Sequence, residues 1–257
     1  MANTLRFLLN NPVGGWYGEY VKMNRIMSAP GYPIFLQLKR APVLIVGGGN
    51  VALRKARSLT ECDAAIAIIS PHFNAGFDDL PHVRRFVQPY APGWLGRPGW
   101  PRWKLVFAAT DQVDINQQVL KDAQAAGMLC CRCDEAELGD FISPAAGNNG
   151  SLTLAVSTHG ASPALAARIC HQLLERMDPV WSLQAQLLAR WRVEMRTQVT
   201  DAAVRRELLE LAAGVDMEQA IRDGGAGAAQ ALFVQWIGAR AGNGVRENSG
   251  GDPQAVC

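Results

Sequence analysis

A chain of 257 residues, 49% of them hydrophobic, can bury one substantial core and still carry a smaller second unit. Its formal net charge of +2 is too small for the electrostatic footprint of a nucleic-acid binder, and no apolar stretch reaches the roughly 18 uninterrupted residues of a membrane span. Neither nucleic acid nor membrane is therefore expected as a partner; residues 1–20 lack a secretory pattern and the cysteines lack the paired hooks of a zinc site, so the expectation is a cytoplasmic protein with reduced thiols and no resident metal.

In chain order, residues 1–30 show no lasting period and are read as an N-terminal extension, with Met27 standing just before the first patterned segment as an alternative start. Residues 41–46 form an apolar run short enough for a buried strand. Gly47, Gly48 and Gly49 follow, and then a helix over 50–62 with Val51, Ala52, Ala56 and Leu59 at helical spacing. A second strand over 64–70 ends at Pro71, closing a βαβ unit. Residues 83–87 read as a third strand. The Pro-, Gly- and Trp-rich stretch 89–103 reads as a loop whose Trp94, Trp100 and Trp103 pack on the domain surface.

Residues 105–109 read as a strand running into Thr110 and Asp111, and Ile115, Val119, Leu120 and Ala123 give the next helix a buried face that stops at Gly127. The strand over 128–133 carries Cys131 and Cys133 on one face and Cys130 with Arg132 on the other, because neighbours in a strand point oppositely. Small buried strand residues are the favoured reading of these cysteines. Residues 151–158 alternate as a strand, and Ser162 with Pro163 reads as an N-cap and first helical residue ahead of Leu165, Ile169 and Leu173. This alternation of strands and helices predicts an α/β fold with a Rossmann-like, mostly parallel sheet and a ligand at the C-terminal strand ends.

Beyond Met177 the strands stop. Pro179 opens a helix with Leu183, Leu187, Leu188, Trp191 and Met195, a second begins near Asp201 with Val204, Leu208 and Leu211, and a shorter pair lies around 217–221 and 231–237. A small all-helical module of this kind is a candidate dimerisation domain. The expected division is an extension over 1–30, a dinucleotide-binding domain over 31–150, a strand-helix link over 151–178, a helical domain over 179–241 and a Gly- and Asn-rich disordered tail over 242–257.

The strand, glycine turn and helix around Gly47 are what a pyrophosphate site needs. Gly47 permits the turn, Gly49 lets backbone come close to phosphate, and the helix start offers unpaired N–H groups. Ala52 stands where the third glycine of the fingerprint would be.

Five separated segments carry a resemblance: YPIFLQL over 32–38, GGGNVALRK over 47–55, LVFAATD over 105–111, DFISP over 140–144 and LTLAVSTHGASPALA over 152–166. In this order they resemble the siroheme synthase N-terminal module, the family of precorrin-2 dehydrogenases and sirohydrochlorin ferrochelatases, across about residues 32–240. The resemblance implies a Rossmann-like domain followed by a helical dimerisation region, and a homodimer. It also implies NAD-dependent oxidation of precorrin-2 to sirohydrochlorin, with tetrapyrroles as substrates. Some members also insert ferrous iron to give siroheme, which makes ferrous iron a candidate substrate. Fused siroheme synthases carry a methyltransferase domain afterwards, and methylation of uroporphyrinogen is not expected of this sequence.

Carried over residue by residue, the resemblance makes Asp134 the catalytic candidate for both steps. It places NAD against Gly47, Gly48, Gly49, Asn50, Val51, Pro71, His72 and Thr110, and the carboxylates of the tetrapyrrole against Arg54, Lys55, Thr158, His159 and Ser162. Arg132 and Arg168 lie on motifs expected near the same cleft. The sequence departs from expectation at two points. The acidic residue that usually holds the adenine ribose is absent, since the second strand ends in Ser70, Pro71 and His72, as the family also allows. His159 stands where the family commonly has glycine. A non-catalytic dinucleotide-sensing Rossmann regulator stands as the alternative reading, and the retained Asp134 and the 158–162 turn favour the enzyme.

Overall fold

The structure is a computed structural model and describes residues 31–244; the extension over 1–30 and the tail residues 245–257 lie outside the described residues. The chain divides into two compact units, one holding 31–143 with 158–162 and the other holding 144–157 with 163–244.

The first unit is built on a parallel sheet of five strands: β1 (Pro42–Val46), β2 (Ala65–Ser70), β3 (Arg84–Val87), β4 (Leu105–Ala108) and β5 (Leu129–Arg132), in the order β3-β2-β1-β4-β5. Central strands β1 and β4 are buried along almost their whole length, as expected where both faces of a parallel sheet are covered. Helix α1 (Asn50–Glu61) covers one face, burying Ala52, Leu53, Ala56 and Leu59 among Val43, Ile45, Ile66, Ile68 and Phe107. On the other face α2 (Val113–Ala125) buries Val119, Leu120 and Ala123 among Leu44, Val46, Ile69 and Val106.

The 89–103 segment packs onto the α2 face, with Trp94 and Trp103 buried and Trp100 edge-on to both at 5.4 and 5.6 Å. Edge strand β5 is closed by the chain that follows it. Cys130 N–H donates to the Asp140 carboxylate at 2.9 Å and Asp140 N–H donates back to Cys130 C=O at 2.8 Å, which satisfies an edge that would otherwise template pairing.

The alternating strand read over 151–158 does not join this sheet. It is β7 (Leu152–Val156), paired antiparallel with β6 (Ala145–Asn149) in the second unit. β6 reads AAGNN and has none of the β-branched residues that signal a strand. Tertiary partners make it one: the register Ala145↔Val156 to Asn149↔Leu152 fixes a hairpin, Gly150 takes φ +56° at its tip, and a Cβ on Gly147 would lie 2.4 Å from Leu174 of α3 (Pro163–Glu175).

The rest of the second unit is helical: α4 (Pro179–Gln198), α5 (Ala202–Ala212) and α6 (Val215–Gly244). Asp178 and Asp201 cap α4 and α5 with their carboxylates. The pair of short helices expected around 217–221 and 231–237 is one element broken at Gly224 and Gly225, the latter at φ +63°. α6 also takes in Gly242, Asn243 and Gly244, the first residues of the stretch read as tail. Trp191 centres this helical core. It stacks on Phe233 at 4.1 Å with the rings 11° apart, and its indole N–H donates to the Gln230 side chain at 2.8 Å. Trp191→Ala is expected to destabilise this unit by about 3–5 kcal/mol, read as a lower urea midpoint followed by the fluorescence of the remaining tryptophans.

Candidate active site at the carboxyl ends of the parallel strands

In the order β3-β2-β1-β4-β5 the chain reverses direction of winding between β1 and β4, and open α/β sheets bind ligands outside the carboxyl strand ends at that point. Gly47 and Ala109 meet there. A Cβ on Gly47 would stand 2.2 Å from Ala109 O, and the residue sits at φ +124°, so glycine is required on both counts. Gly48 is confined from the β2 side, where a Cβ would lie 2.0 Å from His72 O and 2.7 Å from Ser70 Oγ. The 71–74 segment wraps the turn: Asn74 N–H donates to Gly48 C=O at 2.8 Å and Asn74 Nδ2 donates to Asn50 Oδ1 at 2.7 Å.

Gly49 is different. No atom lies within 4 Å of where its Cβ would be, so this side of the turn is open. It precedes α1 with no side-chain cap, and the first turn of α1 holds no acidic residue. Helix N–H groups without a capping side chain, beside an open glycine, fit an anionic pyrophosphate. Gly47, Gly48, Gly49, Asn50, Val51, Pro71, His72 and Thr110 thus converge from the ends of β1, β2 and β4.

Thr110 is held by a residue that pattern reading passed over. Asn116, fully buried, accepts from Thr110 N–H at 3.1 Å and from Thr110 Oγ1 at 2.7 Å and donates from Nδ2 to Thr110 C=O at 3.0 Å. An Asn between the apolar residues of a helix face was the only sequence signal available.

Asp134 follows β5 and is the acceptor of a two-point ion pair. Arg132 Nε donates to Oδ1 at 3.1 Å and Nη2 to Oδ2 at 2.5 Å. The guanidinium is 1% exposed, Nη1 donates to Gln117 Oε1 of α2 at 2.8 Å, and Glu135 stands 3.5 Å from Nη2. Arg132 therefore does not face the cleft as a surface cation, as its motif had implied; it lies on the α2 face and is consumed by neighbours of its own unit. The guanidinium, helped by the Asn116 amide, holds the Asp134 carboxyl down to about 2.

On the opposite face of β5, the Cys131 and Cys133 thiols lie near each other and near Lys55. The neighbouring Cys133 thiol and the nearby Lys55 lower the Cys131 thiol, whereas Cys131 and burial push Cys133 up. Lys55 is brought beside these two thiols, and its burial lowers its own proton affinity. Arg54, its neighbour on α1, is exposed, as is Arg168 on α3 in the second unit.

Thr158, His159 and Ser162 form a self-closed turn: Thr158 Oγ1 donates to Ser162 C=O and Ser162 N–H donates to Thr158 Oγ1, each at 3.0 Å. His159 adopts φ +51°, a left-handed conformation that favours glycine. A Cβ on Gly160 in this turn would stand 3.5 Å from Glu137 Oε1, just beyond Asp134 in the chain. Among the described residues, no group of three or more His, Cys, Asp and Glu could hold a metal ion, and no helix is long and apolar enough to cross a membrane.

This arrangement defines an NAD(P)-binding Rossmann-like unit joined to a hairpin-and-helix unit. Residues 34–145 match a family described as putative NAD(P)-binding, and residues 149–169 match the central segment of sirohaem biosynthesis proteins. The chain is 32% identical over 228 residues to the siroheme synthase of Chromobacterium violaceum, covering 82% of this chain and 48% of that protein. It is 34% identical over 225 residues to that of Gluconacetobacter diazotrophicus, covering 84% and 47%. Among solved structures it resembles SirC, a precorrin-2 dehydrogenase, with TM-score 0.65 and 25% identity over 81% of this chain and 100% of that one. The chain belongs to the siroheme synthase N-terminal module family, and it spans about half the length of the siroheme synthases it matches.

The two ends of the glycine turn are expected to respond differently to a methyl group. Gly47→Ala should destabilise the first unit by about 3 kcal/mol or more, from positive φ and the clash with Ala109, while Gly49→Ala should stay within about 1 kcal/mol of wild type. Paired urea titrations check the contrast, and equal losses would show that the turn is not built as described.

Proposed function

We propose that this protein oxidises precorrin-2 to sirohydrochlorin with NAD. The observation that carries the reading is the pairing, at one end of one sheet, of an open uncapped helix start at Gly49 with an anionic carboxylate at Asp134. It is supported by the likeness to siroheme synthases and to a precorrin-2 dehydrogenase. The nicotinamide, when bound, accepts the hydride. The backbone of residues 47–51 holds the pyrophosphate, with 71–72 and Thr110 bounding the cofactor on either side. Loss of the hydride from a tetrapyrrole carbon must be matched by loss of a proton, and Asp134 is the group at the strand ends that attracts and orients it. The products are sirohydrochlorin, NADH and a proton, so the equation balances without a further oxidant.

Arg54, Lys55, Thr158, His159 and Ser162 are proposed to meet the substrate's carboxylates. NAD is preferred to NADP on reading His72, after β2, as an ordinary loop residue rather than a partner of a 2′-phosphate. Ferrous iron is a candidate second substrate, inserted into sirohydrochlorin with release of two pyrrole protons. The helical region is proposed to form a homodimer, and the protein to work in the cytoplasm.

Supplying precorrin-2 and NAD anaerobically should yield NADH and the sirohydrochlorin spectrum together. Asp134→Ala should lower kcat/KM by about a hundredfold or more while NAD affinity, read by fluorescence titration, stays near wild type. A wild-type protein that binds NAD but turns nothing over would instead indicate a dinucleotide-sensing regulator. Iron insertion is scored separately, with sirohydrochlorin and ferrous ion against the uncatalysed rate.

A further inference from the structure

A charged side chain placed inside a sheet-helix interface is costly, and it persists only where other groups answer the charge. Arg132 is such a residue. It lies in an otherwise apolar strand, is 1% exposed, and spends its donors on defined acceptors: Nε and Nη2 on the two oxygens of Asp134, Nη1 on Gln117 Oε1. Asp134 lies two residues past Arg132 in the turn after β5, and the guanidinium meets both oxygens of its carboxylate. Gln117, from the second turn of α2, anchors the guanidinium away from Asp134. Asn116, one residue earlier on α2, also favours the ionised form of that carboxyl.

We propose that Arg132 is a positioning residue for the reaction assigned above: it holds the Asp134 carboxylate in one orientation and keeps it anionic, with Gln117 fixing the guanidinium from behind. The inference rests on Asp134 being the catalytic group. It changes what Asp134 does, because a carboxylate clamped at two points is a weak proton acceptor. Asp134 then acts as a fixed negative charge that stabilises the departing proton electrostatically while solvent water takes it up, rather than as a base that must be deprotonated before each turnover.

The groups that could alter this titration are few. From β5 and the turn after it come Arg132, Cys133 and Glu135, the last 3.5 Å from the same Nη2 that bonds Asp134. α2 contributes the uncharged amides of Asn116 and Gln117. Lys55 of α1 engages the thiols of Cys131 and Cys133 on the opposite strand face. Arg132 is thus the one cation bonded to Asp134 among the described residues.

The folded carboxyl is depressed, to about 2, so the anion is present throughout the neutral and mildly acid range and is lost only as pH falls through that value. Wild-type kcat/KM should therefore show no acid limb attributable to Asp134 above about pH 4. Arg132→Met should lower kcat/KM at neutral pH by about tenfold or more and introduce an acid limb in or above the ordinary carboxylate range. Arg132→Lys, which keeps the charge but not the two-point fork, should leave the limb low and recover only part of the rate. NAD affinity should be unchanged in both.

The Asp134 carboxyl carbon, followed by NMR and assigned by comparison with Asp134→Asn, reports the clamp without turnover. If Arg132→Met fails to fold, Gln117→Leu serves in its place, with a smaller upward shift expected. Titration of wild-type Asp134 in the ordinary carboxylate range would overturn the clamp. A shifted titration with an unmoved rate and pH profile would overturn its catalytic role. Absence of wild-type turnover would fail the assigned reaction instead, and the NMR titration would then decide the clamp by itself.

Discussion

The first unit depends on one close approach. At the carboxyl ends of β1 and β4 the two backbones come so near that a single methyl group on Gly47 would stand 2.2 Å from Ala109 O. Hydrogen bonding fixes the spacing: Ala109 N–H donates to Val46 C=O at 2.8 Å and Gly47 N–H donates to Ile69 C=O at 2.9 Å. These bonds carry the parallel ladder to the last residue before the turn. The chain must then leave β1 at a sharp angle, which only glycine permits at this φ, and α1 starts with its N–H groups aimed past Gly49 into open space. The open helix start is thus a consequence of how tightly the sheet closes at its switch point, not of a side chain placed there for the purpose.

A second constraint is electrostatic. The Arg132 guanidinium is out of solvent, so its desolvation must be answered locally, and Asp134 and Gln117 answer it. The consequence runs both ways: Asp134 gives the buried cation its counter-charge and in return loses basicity. Asn116, one residue before Gln117 on α2, holds Thr110 at the end of β4. The opposite face of β5 carries a separate polar arrangement, in which Lys55 and Ser143 attend the Cys131 and Cys133 thiols. One short strand therefore holds two differently charged surroundings, kept apart because alternate residues point to opposite sides.

Much of this was legible in order along the chain. Strands β1, β2, β4 and β5 are short apolar runs stopped by Gly, Pro or Asp, and the helices show buried faces at 3.6-residue spacing, so period and punctuation identify both. The Gly47–Gly49 turn and Asp134 could be found from motif order. Other features were not open to such reading. β6 has the composition of a turn and becomes a strand only because β7 and α3 supply its partners. The alternation of residues 151–158 correctly implied a strand but not which sheet it joins, since pairing partners leave no mark on a single strand's pattern. Arg132 looked like a surface cation because most arginines are; its burial follows from where α2 crosses β5.

By itself, then, the sequence determined which segments are strands and helices, where the chain must turn at glycine, and which carboxylate stands at a strand end. These depend on interactions between residues near one another in the chain, and periodicity records them. Only the tertiary structure decided that Gly47 and Ala109 touch, that β7 pairs with β6 outside the parallel sheet, and that Arg132 is turned inward onto Asp134 with Gln117 behind. Each of these joins residues from separate elements, and the physical reason is common to all: close packing and the desolvation of charge are settled by what lies opposite a side chain, which the order of residues along one segment does not specify.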